Sequence, residues 1–218
     1  KIEHYWTGLS FVLTAGAANE HVIFTHRAAN EHLRIEAGKL ARVASGWHYL
    51  SSLSGPNWQS NLANVFAAAV AKKVNIAWNP GATQLAAGYD YLKKYLRQTE
   101  VLILNKDEAT MLAAAVQGQP VSLKHGELLE FLAGLGPKTV SISDGGRGAY
   151  VYSGGHSYFA KALTFKAVNT TGAGDAFGSS LIGGLLIYKN DLKRALNLAM
   201  IRSSYVVRQV GAQEGLLT

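Results

Sequence analysis

Asn169-Thr170-Thr171-Gly172-Ala173-Gly174-Asp175 runs straight into the apolar segment Ala176 to Tyr188, which places a carboxylate just inside a helix opened by glycines. The N-terminus of a helix presents N–H groups with no intrahelical acceptor and carries partial positive charge, so it can hold negative charge that develops on a phosphoryl group. Glycines let that backbone approach closely. An aspartate in the first turn can accept the proton of a substrate hydroxyl as it attacks the terminal phosphate of a nucleotide. The same residues also suit an aspartate that only complements the helix dipole after a glycine turn. The rest of the chain has to separate the two.

Strand-like and helical patterns alternate over most of the sequence. Leu9 to Ala15 and His21 to His26 read as a hairpin joined by a Gly-Ala-Ala-Asn turn. Trp47 to Leu50 reads as a strand, Asn57 to Lys72 as a helix with an Asn cap, Val74 to Trp78 as a strand and Thr83 to Arg97 as one helix. The strand Val101 to Leu104, a helix through Val116, a helix near Glu127 to Leu135 and strands at Thr139 to Ser143 and Ala149 to Ser153 follow. Helices at about Gly174 to Tyr188 and Leu192 to Val207 close the pattern. Such alternation predicts an α/β fold with a mainly parallel sheet covered by helices on both faces. Ligands of open sheets bind beyond the carboxyl ends of the strands. Asn79-Pro80, Asn105, Ser143 and the Asn169 loop all fall at such ends.

Two of these junctions carry candidate chemistry. Asn105-Lys106-Asp107-Glu108 opens a helix directly after a buried strand, which places polar oxygen donors at a strand-to-helix junction; a capping box reads the same way. Ser143-Asp144-Gly145-Gly146-Arg147-Gly148 joins two strands, and Gly145 and Gly148 let the backbone pass close to a phosphate. A plain hairpin turn also accounts for it.

The chain has no cysteine, which excludes a disulfide framework and thiolate metal sites and agrees with a reducing cytoplasm. Its apolar runs are too short or too interrupted to span a bilayer, and no signal peptide is evident, so a cytosolic protein is expected. The net charge of +7 comes with no nucleic-acid motif around Lys189, Lys193, Arg194, Arg202 and Arg208, which read as a solvated helix face. The seven histidines lack metal-site spacing.

Taken in order, these motifs resemble the ribokinase or PfkB family of carbohydrate kinases. The family's C-terminal signature ends in Gly-Ala-Gly-Asp, matched by Gly172 to Asp175. Its Asn-x-x-Glu motif is matched by Asn105 and Glu108, and its Thr-x-Gly-x-x-Gly nucleotide loop by Ser143, Gly145 and Gly148. Val210-Gly211-Ala212-Gln213 and Gly215-Leu216-Leu217 resemble the closing segment, and Asn79-Pro80-Gly81 resembles a family turn with no catalytic role. The resemblance implies a ribokinase-like α/β fold with part of a small β lid at about residues 7–30 and a nucleotide-binding core over 31–218. It covers nearly all of this chain but only the later part of the family fold, which implies an N-terminally incomplete domain.

What the resemblance implies for function is ATP-dependent phosphorylation of a hydroxymethyl group on a sugar or sugar-like substrate. Asp175 is then the base, and the amides of Gly172, Ala173 and Gly174 stabilise the transferring charge. Asn105 and Glu108 organise Mg2+ and phosphate, while Ser143, Gly145 and Gly148 line ATP. Two other readings fit the same fold: a nucleotide-binding or regulatory module without transfer, and a kinase for a vitamin-like alcohol. Asn169 stands where the family commonly has an aspartate beside a monovalent cation, so potassium dependence is left open. A lid in this family often supplies a dimer interface, and exposed strand edges invite such pairing.

Overall fold

The structure, a computed structural model, describes residues 4–15, 20–40, 42–165 and 167–216. It divides into two compact units, one made of Lys1–Ala44 with Leu53–Lys72 and the other of Ser45–Ser52 with Lys73–Thr218.

In the first unit, β1 (Leu9–Ala15) and β2 (Glu20–His26) pair antiparallel, with Leu9 opposite His26 and Phe11 opposite Phe24. The predicted hairpin is therefore present, although its Gly16–Asn19 turn lies outside the described residues. Side chains alternate across a strand, so Leu9, Phe11, Val22 and Phe24 share one face, and all four are exposed. Two helices follow, the short α1 (Ala37–Leu40) and α2 (Trp58–Lys72). The α2 helix starts where expected, with the Asn57 carbonyl accepting from the Asn61 N–H at 2.9 Å. Buried Asn61 fastens the preceding chain to this helix. Its Oδ1 accepts from the Ile35 N–H at 2.7 Å and its Nδ2 donates to the Leu33 carbonyl at 2.9 Å.

The second unit holds a six-stranded mixed sheet in sequential order: β3 (Trp47–Leu50), β4 (Asn75–Trp78), β5 (Val101–Asn105), β6 (Thr139–Ser143), β7 (Ala149–Ser153) and β8 (His156–Ala160). The first four strands run parallel, and β7 and β8 add on antiparallel. Its helices are α3 (Ala82–Leu85), α4 (Tyr89–Leu96), α5 (Lys106–Gln117), α6 (His125–Ala133), α7 (Ala173–Ile187) and α8 (Leu192–Val206). The central strands show why their sequence reads as a continuous apolar run. Val101 and Ile103 join a core with Phe177, Leu181 and Leu185 of α7 and Leu196 and Met200 of α8. Leu102 and Leu104 point to the other face, where Trp78 meets Tyr95 of α4 and Tyr150 stacks on His125 of α6. A strand packed on both faces has no position left for a polar residue. Helices α7 and α8 cross closely because Gly184 has no side chain; a Cβ there would lie 2.7 Å from the Ala195 Cα.

Two expectations need correction. The single helix over 83–97 is two, because Gly88 adopts φ +81° and α4 restarts after it. The strand β8 was not foreseen, and it pairs with β7 through a turn at Gly154 and Gly155, both at positive φ. The link between the antiparallel strands β6 and β7 is the turn expected there, and Gly145–Arg147 within it forms a single 3-10 turn. Elsewhere the predicted ends move by one or two residues, as fraying termini do. No helix among the described residues is long and apolar enough to cross a membrane.

Leu102 is fully enclosed at the sheet centre. Leu102→Ala should cost about 2–5 kcal/mol in denaturant unfolding, whereas Met111→Ala, at a half-exposed position of α5, should stay within about 0.5 kcal/mol.

Candidate functional site

The start of α7 is built by its own turn and by the chain's C-terminal segment. The Asn169 Oδ1 accepts from the Thr171 N–H at 2.8 Å, and the Ala173 N–H donates to the Thr170 carbonyl at 3.2 Å. Gly172 then takes φ +82°, and any side chain there would press on Ala212, whose carbonyl oxygen lies 2.6 Å from the Cβ position. The N–H groups of Val168 and Asn169 both donate to the Val207 carbonyl, at 2.8 and 3.2 Å. The first i to i−4 helical bond is that of Ala176 to Gly172, at 2.9 Å. Helix geometry therefore leaves the amides of Gly174 and Asp175 without an intrahelical acceptor. A Cβ on Gly174 would meet nothing within 4 Å, so it is open space, not packing, that borders this glycine.

That space belongs to a cavity of about 220 Å³. Ser143, Gly145 and Gly148 line one side of it and Ala173 and Gly174 another, so five of the predicted residues meet around one void. Gly148 has φ +124°, and a Cβ there would collide with the Ala160 carbonyl oxygen, which ties the glycine loop to the end of β8. The remaining wall is largely apolar, with Leu163 and Phe165 from the loop after β8, Phe177 from α7 and Met200 from α8. Such a wall accepts a flat ring, while the open amides at the other end accept an anion. The Arg208 guanidinium sits 4.6 Å from the Phe165 ring centroid, and Arg194 lies 4.2 Å from that of Tyr188. At least two of the basic residues expected on a solvated face thus pack on aromatic rings.

Asn105, Glu108 and Asp175 do not line the cavity. Asn105 pairs directly with Ser143 across β5 and β6, so it stands at the same carboxyl edge. Its Oδ1 accepts from the Glu108 N–H at 2.8 Å, and the Asn105 N–H donates to Glu108 Oε2 at 2.9 Å. The capping box is therefore real, and it fixes both side chains at the edge. Burial pushes the Glu108 carboxyl up from its ordinary value, opposed by the hydrogen bonds from the Asn105 amide and the Asn79 side chain. Asn79 also donates to the Ile103 carbonyl at 2.8 Å, which gives this turn residue a structural part. Asp175 is exposed in the first turn of α7, one residue beyond the cavity lining.

Several participants escaped the sequence reading. The cavity's apolar wall carries no motif, since Phe177 and Met200 follow ordinary core spacing. Tyr49 of β3 was not singled out either, yet burial first, and then the charges of Asp175 and Glu108, push its phenol up to about 12. Only the register of β3 against β4, Tyr49 opposite Ala77, reveals which way it points.

The glycine loop is held from behind by Asp144. Its side chain is buried, with Oδ2 2.7 Å from the Arg147 Nε and 2.8 Å from the His125 Nε2, and Oδ1 2.6 Å from the Arg147 Nη2. The Asp144 N–H also donates to the Gly148 carbonyl at 2.8 Å. The Arg147 hydrogen bonds hold the Asp144 carboxyl below its ordinary value, with His125 contributing in the same direction. A carboxyl lowered in the folded state contributes stability that is present above its unfolded pKa, 3.8, and is lost as pH falls through the lowered value. Asp144→Asn should therefore lower thermal stability at neutral pH. It should also flatten the loss of thermal stability below pH 4 relative to the parent protein, as read by calorimetry across pH.

The sequence matches the pfkB family carbohydrate kinases over residues 2–218. It is 26% identical over 218 residues to a ribokinase of Haemophilus influenzae, covering 97% of this chain and 66% of that protein. It is 27% identical over 142 residues to a sugar kinase of Archaeoglobus fulgidus, covering 65% of this chain and 53% of that protein. The fold superposes with a TM-score of 0.77 on an E. coli protein described as a ribokinase II and solved with ATP and Mg2+, at 22% identity, covering 98% of this chain and 68% of the other. The chain thus spans 53–68% of the length of these proteins. With a match running from end to end and the family's glycine motifs gathered at one sheet edge, the chain belongs to the pfkB family carbohydrate kinases.

Proposed function

We propose that this protein transfers the terminal phosphate of ATP to a hydroxymethyl group of a sugar or nucleoside-like acceptor. The observation that carries the reading is the start of α7, where the Gly174 and Asp175 amides have no intrahelical acceptor, Gly174 borders the glycine-lined cavity and Asp175 brings a carboxylate beside it. The E. coli relative was solved with ATP and Mg2+, and the similar proteins include ribokinases and sugar kinases, which supports a nucleotide in this cavity and a polyol beside it.

In this reading the nucleotide's ring rests on the apolar wall and its phosphates cross Gly145 and Gly148 toward α7. Asp175 accepts the acceptor's hydroxyl proton while that oxygen forms its bond to the terminal phosphorus and the bond to ADP breaks. Within the Gly172–Gly174 turn, the Gly174 amide, together with that of Asp175, receives the charge on the transferring group as a donor fixed in advance of the reaction, while the Ala173 amide stays on the Thr170 carbonyl. Asn105 and Glu108 fit a magnesium ion held through water. They offer hard oxygen donors at the right edge, and two of these donors are already occupied by the capping box, which leaves too few for an all-protein cage. The ion would neutralise phosphate charge there.

The test is Asp175→Asn, assayed for acceptor-dependent ADP release over pentoses, hexoses, phosphosugars, nucleosides, pyridoxal and hydroxymethylpyrimidines. Turnover should fall roughly 10²- to 10⁴-fold with ATP binding, measured by calorimetry, little changed. Near-normal turnover in the variant removes Asp175 as base. ATP binding with no ADP release from the parent protein, on any acceptor, points instead to a module without transfer.

A further inference from the structure

Tyr49 ends up in an arrangement that folding alone gives no reason to keep. Its register opposite Ala77 turns the ring to the sheet face covered by α7, and its hydroxyl is buried with no hydrogen-bond partner among the described residues. A buried hydroxyl left unpaired is destabilising, and a phenylalanine would pack the same ring without it. The hydroxyl also demands a second concession. It lies against Gly178 of α7, where a Cβ would collide with the Tyr49 oxygen and come within 3.0 Å of its Cζ. A glycine inside a helix costs stability relative to alanine. An unpartnered donor and the glycine that makes room for it are thus two local losses with one common cause.

The surroundings say what the donor is for. Gly178 stands three residues after Asp175, so the two lie on one side of α7, one turn apart. Burial first, and then the charges of Asp175 and Glu108, work against ionisation of the hydroxyl, so it remains an O–H donor. A buried donor makes its strongest bond to a charged oxygen, and the Asp175 carboxylate stands one turn before the glycine that the hydroxyl touches.

We propose that Tyr49 is a positioning residue for Asp175: its hydroxyl, given space by Gly178, donates to the Asp175 carboxylate from beneath during transfer and fixes the oxygen that receives the acceptor's proton. This rests on the kinase reading above. Tyr49 does not line the cavity, so its removal should leave ATP recognition alone and act on the transfer step.

The experiment is Tyr49→Phe in the full chain, compared with the parent protein on whichever acceptor the parent turns over. The expected result is a fall in kcat of tenfold or more, KM for ATP within twofold, and a melting temperature equal to or above the parent's. A merely structural tyrosine would lower the melting temperature and leave kcat in place, and that outcome overturns the inference while the kinase reading stands. Absence of transfer in the parent protein counts against both. The geometry is checked independently by a double-mutant cycle. Gly178→Ala should lower the melting temperature in the parent background and do so much less in the Tyr49→Phe background, where the colliding oxygen is gone. Equal losses in the two backgrounds would show that the hydroxyl does not occupy the space beside Gly178, and would also overturn the proposal.

Discussion

Everything at the candidate site depends on the parallel ladder between β5 and β6. Its register sets Asn105 beside Ser143, and each of those residues is the last of its strand. One hydrogen-bonded ladder thereby brings the start of α5 and the start of the glycine loop to a common edge. The ladder itself is held by packing on both faces, with Ile103 against α7 and Leu102 against the opposite layer. A register slip of one residue would turn every one of these side chains to the wrong face. Burial therefore fixes the register, and the register brings the two loops together.

Local chemistry then refines what the ladder has placed. The capping box orients Asn105 and Glu108, the Asp144 clamp stiffens the turn between β6 and β7, and the C-terminal segment closes on Gly172. These three devices serve the fold as well as the site. The older alternatives at each motif, a capping glutamate, a dipole-complementing aspartate and a tight turn, are not rivals of the chemical readings. The residues that hold a helix start in place are the same ones that aim its amides.

What could be read from the sequence follows from this physics. The buried strands announced themselves because double-sided burial writes an unbroken apolar run such as Val101 to Leu104. The glycine motifs were legible because positive φ at Gly172 and Gly148 tolerates little else. β8 was not legible, since His156-Ser157-Tyr158-Phe159-Ala160 is mostly exposed and depends on its neighbour β7 for its conformation. The break at Gly88 was hidden because Tyr89 to Leu96 continues a good helical pattern and a lone glycine inside such a pattern is usually tolerated. The cavity wall was invisible for a different reason: Phe165, Phe177 and Met200 look like core residues, and only the arrangement in space shows that a void lies between them. Tyr49 needed three facts together, its register, its burial and the missing side chain at Gly178, and no window of sequence contains all three.

The composition of α7 has a consequence for how the protein acquires and loses activity. Four of its fifteen residues are glycines, Gly174, Gly178, Gly183 and Gly184, and each lowers intrinsic helicity by about 1 kcal/mol relative to alanine. A helix so handicapped does not nucleate in the isolated chain. It forms only as Phe177, Leu181 and Leu185 dock on a sheet that is already assembled. The amides that would hold a phosphate thus come into existence late in folding, and during heating they vanish together with the core. Amide exchange along α7 is then expected to follow the opening of the core on which it docks.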